Sequence, residues 1–371
     1  MSEWTTIRLG SVVRTNTTSY SPKEGWKYVN YLDTGNITEN VIDSIHHIDL
    51  ENEKLPSRAK RKVQMNSILY STVRPNQKHF GIIKSMPKNF LVSTGFAVID
   101  VISEKADADY LYFWLTQNTV VEQLHAIAEQ SVSAYPSIKA SDIENLEIAL
   151  PPLTVQKSIA SILKSISDKM SHNSNINENL EQQAQAIYCD MFITNANPSW
   201  QLGRLSDLIA VRYGKNHKKL ADGIYPVYGS GGIMRYAEKP LYDKESVLIP
   251  RKGTLNNVMY VNKPFWSVDT MFFTEMKLPN VAKFVFHFVK SKDLASLNAG
   301  SAVPSMTTDI LNAMELSIPD ANTLYKFENI VAPMYQAMQQ NTQQSSKLAE
   351  LRDSLLPRLM SGEIDVTDIQ I

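Results

Sequence analysis

Apolar residues fall in short runs over two stretches of the chain, and over two others they step by threes and fours. The runs Val29–Leu32, Ile68–Val73, Phe96–Val101, Val247–Ile249, Val258–Val261 and Thr270–Thr274 predict strands, set between turn-forming residues. Tyr110–Gln130 and Val281–Ser291 predict helices, the first with Asp107 or Asp109 as its N-cap. The stepped stretches are longer. One ladder holds Val155, Ile159, Ile162, Ile166, Ile176, Leu180, Ile187 and Met191, interrupted by Lys169 and Asn173. The other holds Leu324, Phe327, Val331, Met334 and Met338, and continues through Asn341, Ser345, Leu348, Arg352, Leu355 and Leu359. A seam of two positions per heptad over this length predicts a coiled coil, in which Asn173 and Asn341 fix the register. The alternative is that each helix packs only on the domain preceding it. Pro333 and Pro357 predict a kink or a late start in the second helix. About 35 residues at 1.5 Å rise make a rod of roughly 50 Å, the length of about 15 base pairs of DNA.

The plan occurs twice. Trp4-Thr5-Thr6-Ile7-Arg8-Leu9 returns as Trp200-Gln201-Leu202-Gly203-Arg204-Leu205, and SILYSTVR (67–74) resembles SVLIPRKG (246–253). PSIKASDIENLEIALP (136–151) aligns without gaps on PSMTTDILNAMELSIP (304–319). Each closes on a proline after a β-like run, Leu146–Leu150 or Met314–Ile318, and a ladder follows. The segmentation is thus 1–150, a mixed α/β domain; 151–196, a helix; 197–319, a second domain; and 320–371, a second helix. The fold class is α+β, with two related α/β domains joined by two long antiparallel coiled-coil helices. Such a rod acts as a ruler.

Composition narrows the class. Hydrophobic residues make up 43% and charged residues 20% of 371 positions, which excludes wholesale disorder. No apolar run is long enough for a membrane helix, the first ten residues lack a signal peptide's apolar core, and a soluble cytoplasmic chain is expected. Cys189 stands alone, excluding an internal disulfide and a cysteine-based zinc site. The net charge of −1 hides an asymmetry: residues 200–319 carry 15 Lys and Arg against 10 Asp and Glu, while the other segments are mildly acidic. A basic segment is compatible with a polyanionic partner.

Several chemistries lack their residues. Pro151-Pro152 and Asn197-Pro198 are not the Asn/Asp-Pro-Pro-aromatic element of a DNA methyltransferase, and no GxxxxGK[ST] loop exists for ATP. His46-His47 are adjacent, which points them apart and disfavours a metal pair. Asp269 with Glu275-Met276-Lys277 resembles the Asp…Glu-x-Lys set of divalent-ion nucleases; the alternative is a strand, Thr270–Thr274, whose end carries ordinary charges. No metal site is expected. Polar, basic loops stand at matching places in both copies. The first has Ser71, Thr72, Arg74, Asn76, Gln77 and Lys78; the second has Arg251, Lys252, Thr254, Asn256 and Asn257, preceded by Tyr228 and Ser230 in YGSGG. Arg, Lys, Asn and Gln match base edges in the major groove, and Ser, Thr and Lys suit phosphates. These are the candidate DNA-binding residues.

At this point the chain resembles the specificity (S) subunits of type I restriction-modification systems. The segments carrying the likeness are LPPLTVQKSIASILKSISDKM (150–170), LEQQAQAIYCDMF (180–192), LRDSLLPRLMSGEI (351–364) and YPVYGSGGIMRYAEKPLY with VLIPRKGTLNNVMYVNKPFWSVDTMFF (225–273). One departure is that the second helix opens with IPDANTLYKFENI (318–330) where the family has a Pro-Pro and Gln pattern. The resemblance implies a non-catalytic subunit whose two target recognition domains each read one half of a bipartite site. It implies that the helices set the spacer and dock two modification subunits, with Ile162, Ile166, Ile176, Leu180, Ile187, Met334, Met338, Leu348, Leu355 and Leu359 in the coiled coil. S-adenosylmethionine, ATP and magnesium would belong to the modification and restriction subunits, and no cofactor to this chain.

Overall fold

A computed structural model describes residues 4–131, 135–297 and 305–366. They form two compact units, one comprising the chain before Asn173 together with the chain after Gln343, the other Asn173–Gln343. The first unit has strands β1 (Thr5–Arg8), β2 (Val13–Thr15), β3 (Tyr28–Leu32), β4 (Ile37–Thr38), β5 (Val41–Ile42), β6 (His46–Asp49), β7 (Ala59–Arg61), β8 (Ile68–Ser71), β9 (Phe80–Ile82), β10 (Phe90–Ser93), β11 (Phe96–Val101) and β12 (Glu147–Leu150). Its short helices are α1 (Ala108–Leu115), α2 (Asn118–Glu129) and α3 (Ala140–Glu144), and the long α4 (Leu153–Cys189) follows. The second unit has β13 (Gln201–Arg204), α5 (Leu205–Leu208), β14 (Ile209–Tyr213), β15 (Asp222–Gly229), β16 (Gly232–Ala237), β17 (Ser246–Pro250), β18 (Met259–Val261), β19 (Trp266–Ser267), β20 (Met271–Met276), α6 (Ala282–Lys290), α7 (Thr308–Asn312) and β21 (Glu315–Ile318), then the long α8 (Ala321–Met360).

The two units repeat one topology in their two main sheets, with β4, β5 and β7 present only in the first. One four-stranded sheet runs β2-β11-β8-β9 in the first and β14-β20-β17-β18 in the second, antiparallel throughout. A second sheet sets β10 parallel to β3 and β6 antiparallel to it; β19 and β16 flank β15 in the same senses. Strands β8 and β17 are buried along their whole length, which is why each reads as an unbroken apolar run rather than an alternation. The repeated sequence segments meet each other. β1 pairs with β12 so that Arg8 faces Glu147, and β13 pairs with β21 so that Arg204 faces Glu315. One residue on, the Leu9 and Leu205 N–H groups donate to the Leu146 and Met314 carbonyls at 2.9 and 2.8 Å. Pro304, where the second copy of the aligned motif begins, lies outside the described residues.

Tyr110–Gln130 is not one helix but two, α1 and α2, parted at Thr116 and Gln117. Thr116 Oγ1 and Gln117 Nε2 each donate to a carbonyl three residues back, a local alternative to continuing the helix, and Gln117 is extended. Asp107 is the N-cap, accepting from the Tyr110 N–H at 2.9 Å.

Each long helix belongs to both units, which excludes packing on the preceding domain alone. In the first unit Leu355, Leu359 and Met360 of α8 share a core with Val155, Ile159 and Leu163 of α4. In the second, Asn173 Nδ2 donates to the Asn341 carbonyl and Asn177 Nδ2 to the Met338 carbonyl, so the helices run antiparallel there. The α8 ladder is the expected one, with Tyr335 added as a fully packed neighbour of Met334. The α4 ladder needs correction. Leu163, not Ile162, is its fully buried member, and Ile176 is 46% exposed while Asn173 and Asn177 turn inward. Below them Ala184 and Tyr188 are buried, with Leu180 and Ile187 only partly so; Ile166 is buried and Leu348 half-buried.

The expected late start of the second helix does not occur: α8 begins at Ala321 and contains Pro333 and Pro357. Both prolines lie on the exposed face, where water can satisfy the carbonyls they leave unbonded. The sequence departure at the start of α8 has a structural reading. Asp320 Oδ1 accepts from the Thr323 N–H at 3.0 Å and Oδ2 from Trp200 Nε1 at 3.2 Å. Those bonds, the Thr323 N–H foremost, draw its pKa down to about 2. At the start of α4 the buried Gln156 does a different job, donating to the Pro151 carbonyl and accepting from the Asp107 N–H. No described helix is long and apolar enough to cross a membrane.

Candidate nucleic-acid interface

The polar loops after β8 and β17 occupy equivalent places. The Thr72 N–H donates to the Gly95 carbonyl, and the Arg251 N–H to the Thr270 carbonyl, both at 2.8 Å, just before β11 and β20. On the other side, Val73 bridges to Ser137 and Lys252 to Ser305. The Ile138 and Met306 N–H groups then donate to the Thr72 and Arg251 carbonyls at 2.8 and 2.9 Å. Each loop is thus clamped between a sheet end and an incoming segment, which positions its outer side chains at low entropic cost.

In the first unit Arg74 (φ 49°) and Lys78 (φ 56°) adopt left-handed backbone at both ends of the Pro75–Gln77 turn. Non-glycine residues in that region are strained, and such strain clusters at functional loops. Arg74, Asn76 and Gln77 are exposed, the Arg74 guanidinium lying 5.2 Å from the Tyr135 ring centroid. Lys78 is paired with Glu39 at 2.9 Å. Ser71 and Thr72 correct the expectation of a DNA-facing role. Ser71, the last residue of β8, is buried and donates to the Val73 carbonyl, while the half-buried Thr72 Oγ1 donates to the Gly95 carbonyl, so both hydroxyls are engaged by backbone.

In the second unit Lys252 and Thr254 are exposed. Arg251 is half-buried, donating to the Asp269 carbonyl at 3.0 Å and lying 5.4 Å from the Tyr213 ring centroid. Asn256 and Asn257 hold the loop in shape: Asn256 bonds Asp293 and the Ala295 N–H, and Asn257 donates to the Ser230 carbonyl at 2.7 Å. Ser230 is half-buried at the hairpin turn that this bond ties down. Tyr228 points into the core, and burial pushes its pKa up to about 12, so it is a packing residue rather than a contact.

A further basic loop stands at the same sheet end and was not singled out from the sequence. Lys215, Lys218 and Lys219 are exposed in the segment after β14, whose C-terminal end pairs beside the start of β20. Gly214 makes the turn possible, since a Cβ there would lie 2.0 Å from the Val268 carbonyl oxygen. Three lysines and a histidine in GKNHKK were the available signal. With Arg251 and Lys252 these lysines place much of the segment's positive charge at one end of one sheet.

The nuclease-like set does not converge. Asp269 precedes β20 and Glu275 lies near its far end, about 20 Å along an extended strand. Glu275 pairs with Arg212 at 2.9 Å, and Lys277 Nζ donates to the Ser206 carbonyl at 2.6 Å. His46 and His47 sit on successive positions of β6, bonded to Asn36 and Asn30 respectively. Among the described residues no cluster of His, Cys, Asp and Glu could hold a metal ion.

Comparison with known proteins agrees with the duplication. The model of the type I restriction modification DNA specificity domain matches residues 1–182 and again 197–345. The type I restriction enzyme HindI specificity subunit of Haemophilus influenzae is 22% identical, covering 98% of this chain and 100% of its own length. The MjaIX specificity subunit of Methanocaldococcus jannaschii is 23% identical over 71% of this chain and 70% of its own. Among solved structures, the S subunit of a type I restriction-modification system from M. genitalium shares the fold, with a TM-score of 0.60 at 17% identity over 96% of each chain.

Proposed function

From the premise that this chain belongs to the type I restriction-modification DNA specificity family, as a non-catalytic DNA-recognition subunit, we propose how it divides that work. Each unit reads one half of a bipartite double-stranded target. The observation carrying this is the recurrence of a clamped, polar loop at the same sheet end of two units whose loop residues differ. One scaffold bearing two different edges suits a split site with unlike halves. In the first unit Arg74, Asn76 and Gln77 offer base-edge donors and acceptors; in the second, Arg251 reads a base while Lys252, Thr254 and the lysines of the GKNHKK loop hold phosphates.

The helices α4 and α8 fix the unread spacer and dock two modification subunits. An uninterrupted helix of 37 or 40 residues supports this, since it spans roughly 55–60 Å without a hinge residue in its seam. Two equivalent copies of one topology offer two equivalent docking surfaces to identical partners. Those partners would bring S-adenosylmethionine for adenine methylation, and restriction subunits would bring ATP and magnesium; the assembly works in the cytoplasm, on DNA.

The test is sequencing of methylated bases in the host genome with the gene intact and deleted. A bipartite adenine-methylated motif that vanishes on deletion carries the proposal. A methylation pattern indifferent to the gene, together with failure to co-purify with a modification subunit, overturns it.

A further inference from the structure

The β15–β16 hairpin carries large apolar side chains that its own core does not use. Ile233, Met234 and Tyr236 are 47%, 60% and 49% exposed on the strand leaving the Ser230-Gly231 turn. β16 is an edge strand, and exposed edges in soluble proteins are ordinarily guarded by charge. Three large hydrophobes within four positions there mark a surface that meets something.

The surroundings say what it meets. The hairpin turn is tied to the basic loop, because Asn257 Nδ2 donates to the Ser230 carbonyl and a Cβ on Gly253 would lie 2.8 Å from Ser230 Oγ. On the other flank the Lys215 N–H donates to the Ser267 carbonyl at 2.8 Å, and Ser267 pairs with Tyr228 of β15. β16, whose Arg235 pairs with Asp222 and donates to the Leu220 carbonyl at the end of the lysine loop, thus carries its exposed apolar side chains beside both basic loops. The complementary partner is polyanionic at its rims and apolar on its floor, and the major groove of duplex DNA, with thymine methyl groups between two phosphate lines, has that pattern. Val227 pairs with Arg235 and Tyr228 with Ile233, so Met234 is the extra residue of a bulge, and both it and Tyr236 are exposed. Met234 is also held in place, its sulfur lying over Gly229, where a Cβ would come within 2.5 Å. In the first unit, where β6 takes the place of β16, the separate β4–β5 hairpin exposes Val41 and Ile42, and its Glu39 N–H donates to the Lys78 carbonyl at 3.0 Å.

We propose that the β15–β16 hairpin reads thymine by apolar contact, Met234 and Tyr236 packing on C5-methyl groups while the flanking lysines hold the phosphates. This rests on the DNA-recognition reading above and adds to it a class of contact and two specificity-determining residues.

The experiment uses the full chain purified with its modification subunits, and the duplex target found by methylation mapping. Each thymine of the two half-sites is replaced singly by deoxyuridine, and binding is followed by fluorescence anisotropy. At one or two positions loss of the methyl weakens the wild type about fourfold, the worth of one buried methyl. That penalty vanishes in Met234→Ala or Tyr236→Ala; Met234→Gln, which keeps length and fold, also abolishes it. Uridine tolerated everywhere by the wild type, penalties unchanged in the variants, or half-sites without thymine would each overturn the inference and leave the DNA-recognition reading standing. Variants that bind DNA normally but lose the modification subunits would reassign the strand to a protein partner. A wild-type complex that binds no specific duplex would overturn both readings.

Discussion

Tyr335 donates its hydroxyl hydrogen to His287 Nε2 at 2.9 Å, while His287 Nδ1–H donates to Gln185 Oε1 at 2.7 Å. One fully buried imidazole of α6 thus joins both long helices within the second unit, and in the neutral state both of its nitrogens are satisfied. Burial, reinforced by the nearby Lys290 charge, pushes its pKa down from 6.5 to about 4. The unfolded chain therefore binds a proton that the folded chain refuses between those values. The resulting stability is complete above pH 6.5 and is lost as the pH falls from there toward 4. His287→Gln keeps a donor and an acceptor but does not titrate. Urea unfolding at pH 7 and pH 5 should show the wild type losing about 2 kcal/mol more than the variant. Equal losses would mean that the imidazole is accessible to protons in the folded state.

Lys283, one turn earlier on α6, is the buried cation of the same region. Its ammonium lies 2.9 Å from Glu245 and 2.7 Å from Glu328 of α8, and 5.0 Å from the Tyr260 ring centroid. Lys283→Met keeps the stem and removes the charge, leaving Glu328, with a side chain only 19% exposed, without its counter-ion. A loss of about 3 kcal/mol in chemical unfolding is expected. Adding Glu328→Gln should recover part of it, since the uncompensated carboxylate is then gone. If the double variant is no better than the single, the cost is packing and not charge.

What the sequence disclosed depended on whether side-chain type implied side-chain direction. The duplication was legible because the repeated segments are partners in space, β1 with β12 and β13 with β21. The α8 seam was legible because its apolar residues step cleanly. In α4 the neighbours Ile162 and Leu163 both fit a ladder, and only packing decides that Leu163 is inside. Near Ile176 hydrophobicity misleads outright. The inward positions are Asn173 and Asn177, stabilised by bonds to α8 that no hydropathy pattern reveals. At the site, recurrence between copies found the loops after β8 and β17 but hid the lysines after β14. The corresponding stretch of the first copy is Asn16-Thr17-Thr18, which carries no charge. Ser71 and Tyr228 have the right chemistry for a polar surface but are buried at strand positions that point inward, and the hydroxyl of Thr72 is taken by the Gly95 carbonyl.

Arg251 and Lys252 are adjacent and should fail differently. Lys252 is exposed, and Lys252→Ala should weaken binding about equally for all duplexes and lower the salt-dependence slope by about 1. Arg251 is oriented by the Asp269 carbonyl and the Tyr213 ring. Arg251→Ala should relax discrimination at one base pair by about 1–3 kcal/mol. Titrations against single-base variants of the target at two salt concentrations separate the two. A uniform loss from Arg251→Ala would make it a phosphate contact.

The Asn layer in the helix pair is a register device. Asn341 Nδ2 donates to Asn177 Oδ1 at 2.9 Å, and Asn177 Nδ2 returns bonds to the Met338 carbonyl and Thr342 Oγ1. Asn341→Ala should cost about 1 kcal/mol in unfolding experiments. Replacing both Asn177 and Asn341 by Leu should raise the melting temperature while removing the feature that permits one alignment only. The methylated motif of that double variant should then show more than one spacer length. A higher melting temperature with a single unchanged spacer would show that the flanking apolar layers fix the register unaided.

The ruler itself can be lengthened. Four residues inserted in α4 between His172 and Asn173, matched by four in α8 between Gln343 and Gln344, add one turn to both helices where the two units divide. The matched insertion keeps the seam in step on either side, whereas an insertion in one helix alone would slide its apolar positions past their partners. Four residues add about 6 Å, between one and two base-pair steps of about 3.4 Å. The motif methylated by the extended subunit should keep both half-sites and gain one or two unread base pairs between them. On the proposed reading the loops after β8 and β17 set the half-sites, and the insertion changes nothing in the backbone bonds that clamp those loops. Altered half-sites with an unchanged spacer would mean that the helices shape the reading edges and do not measure distance.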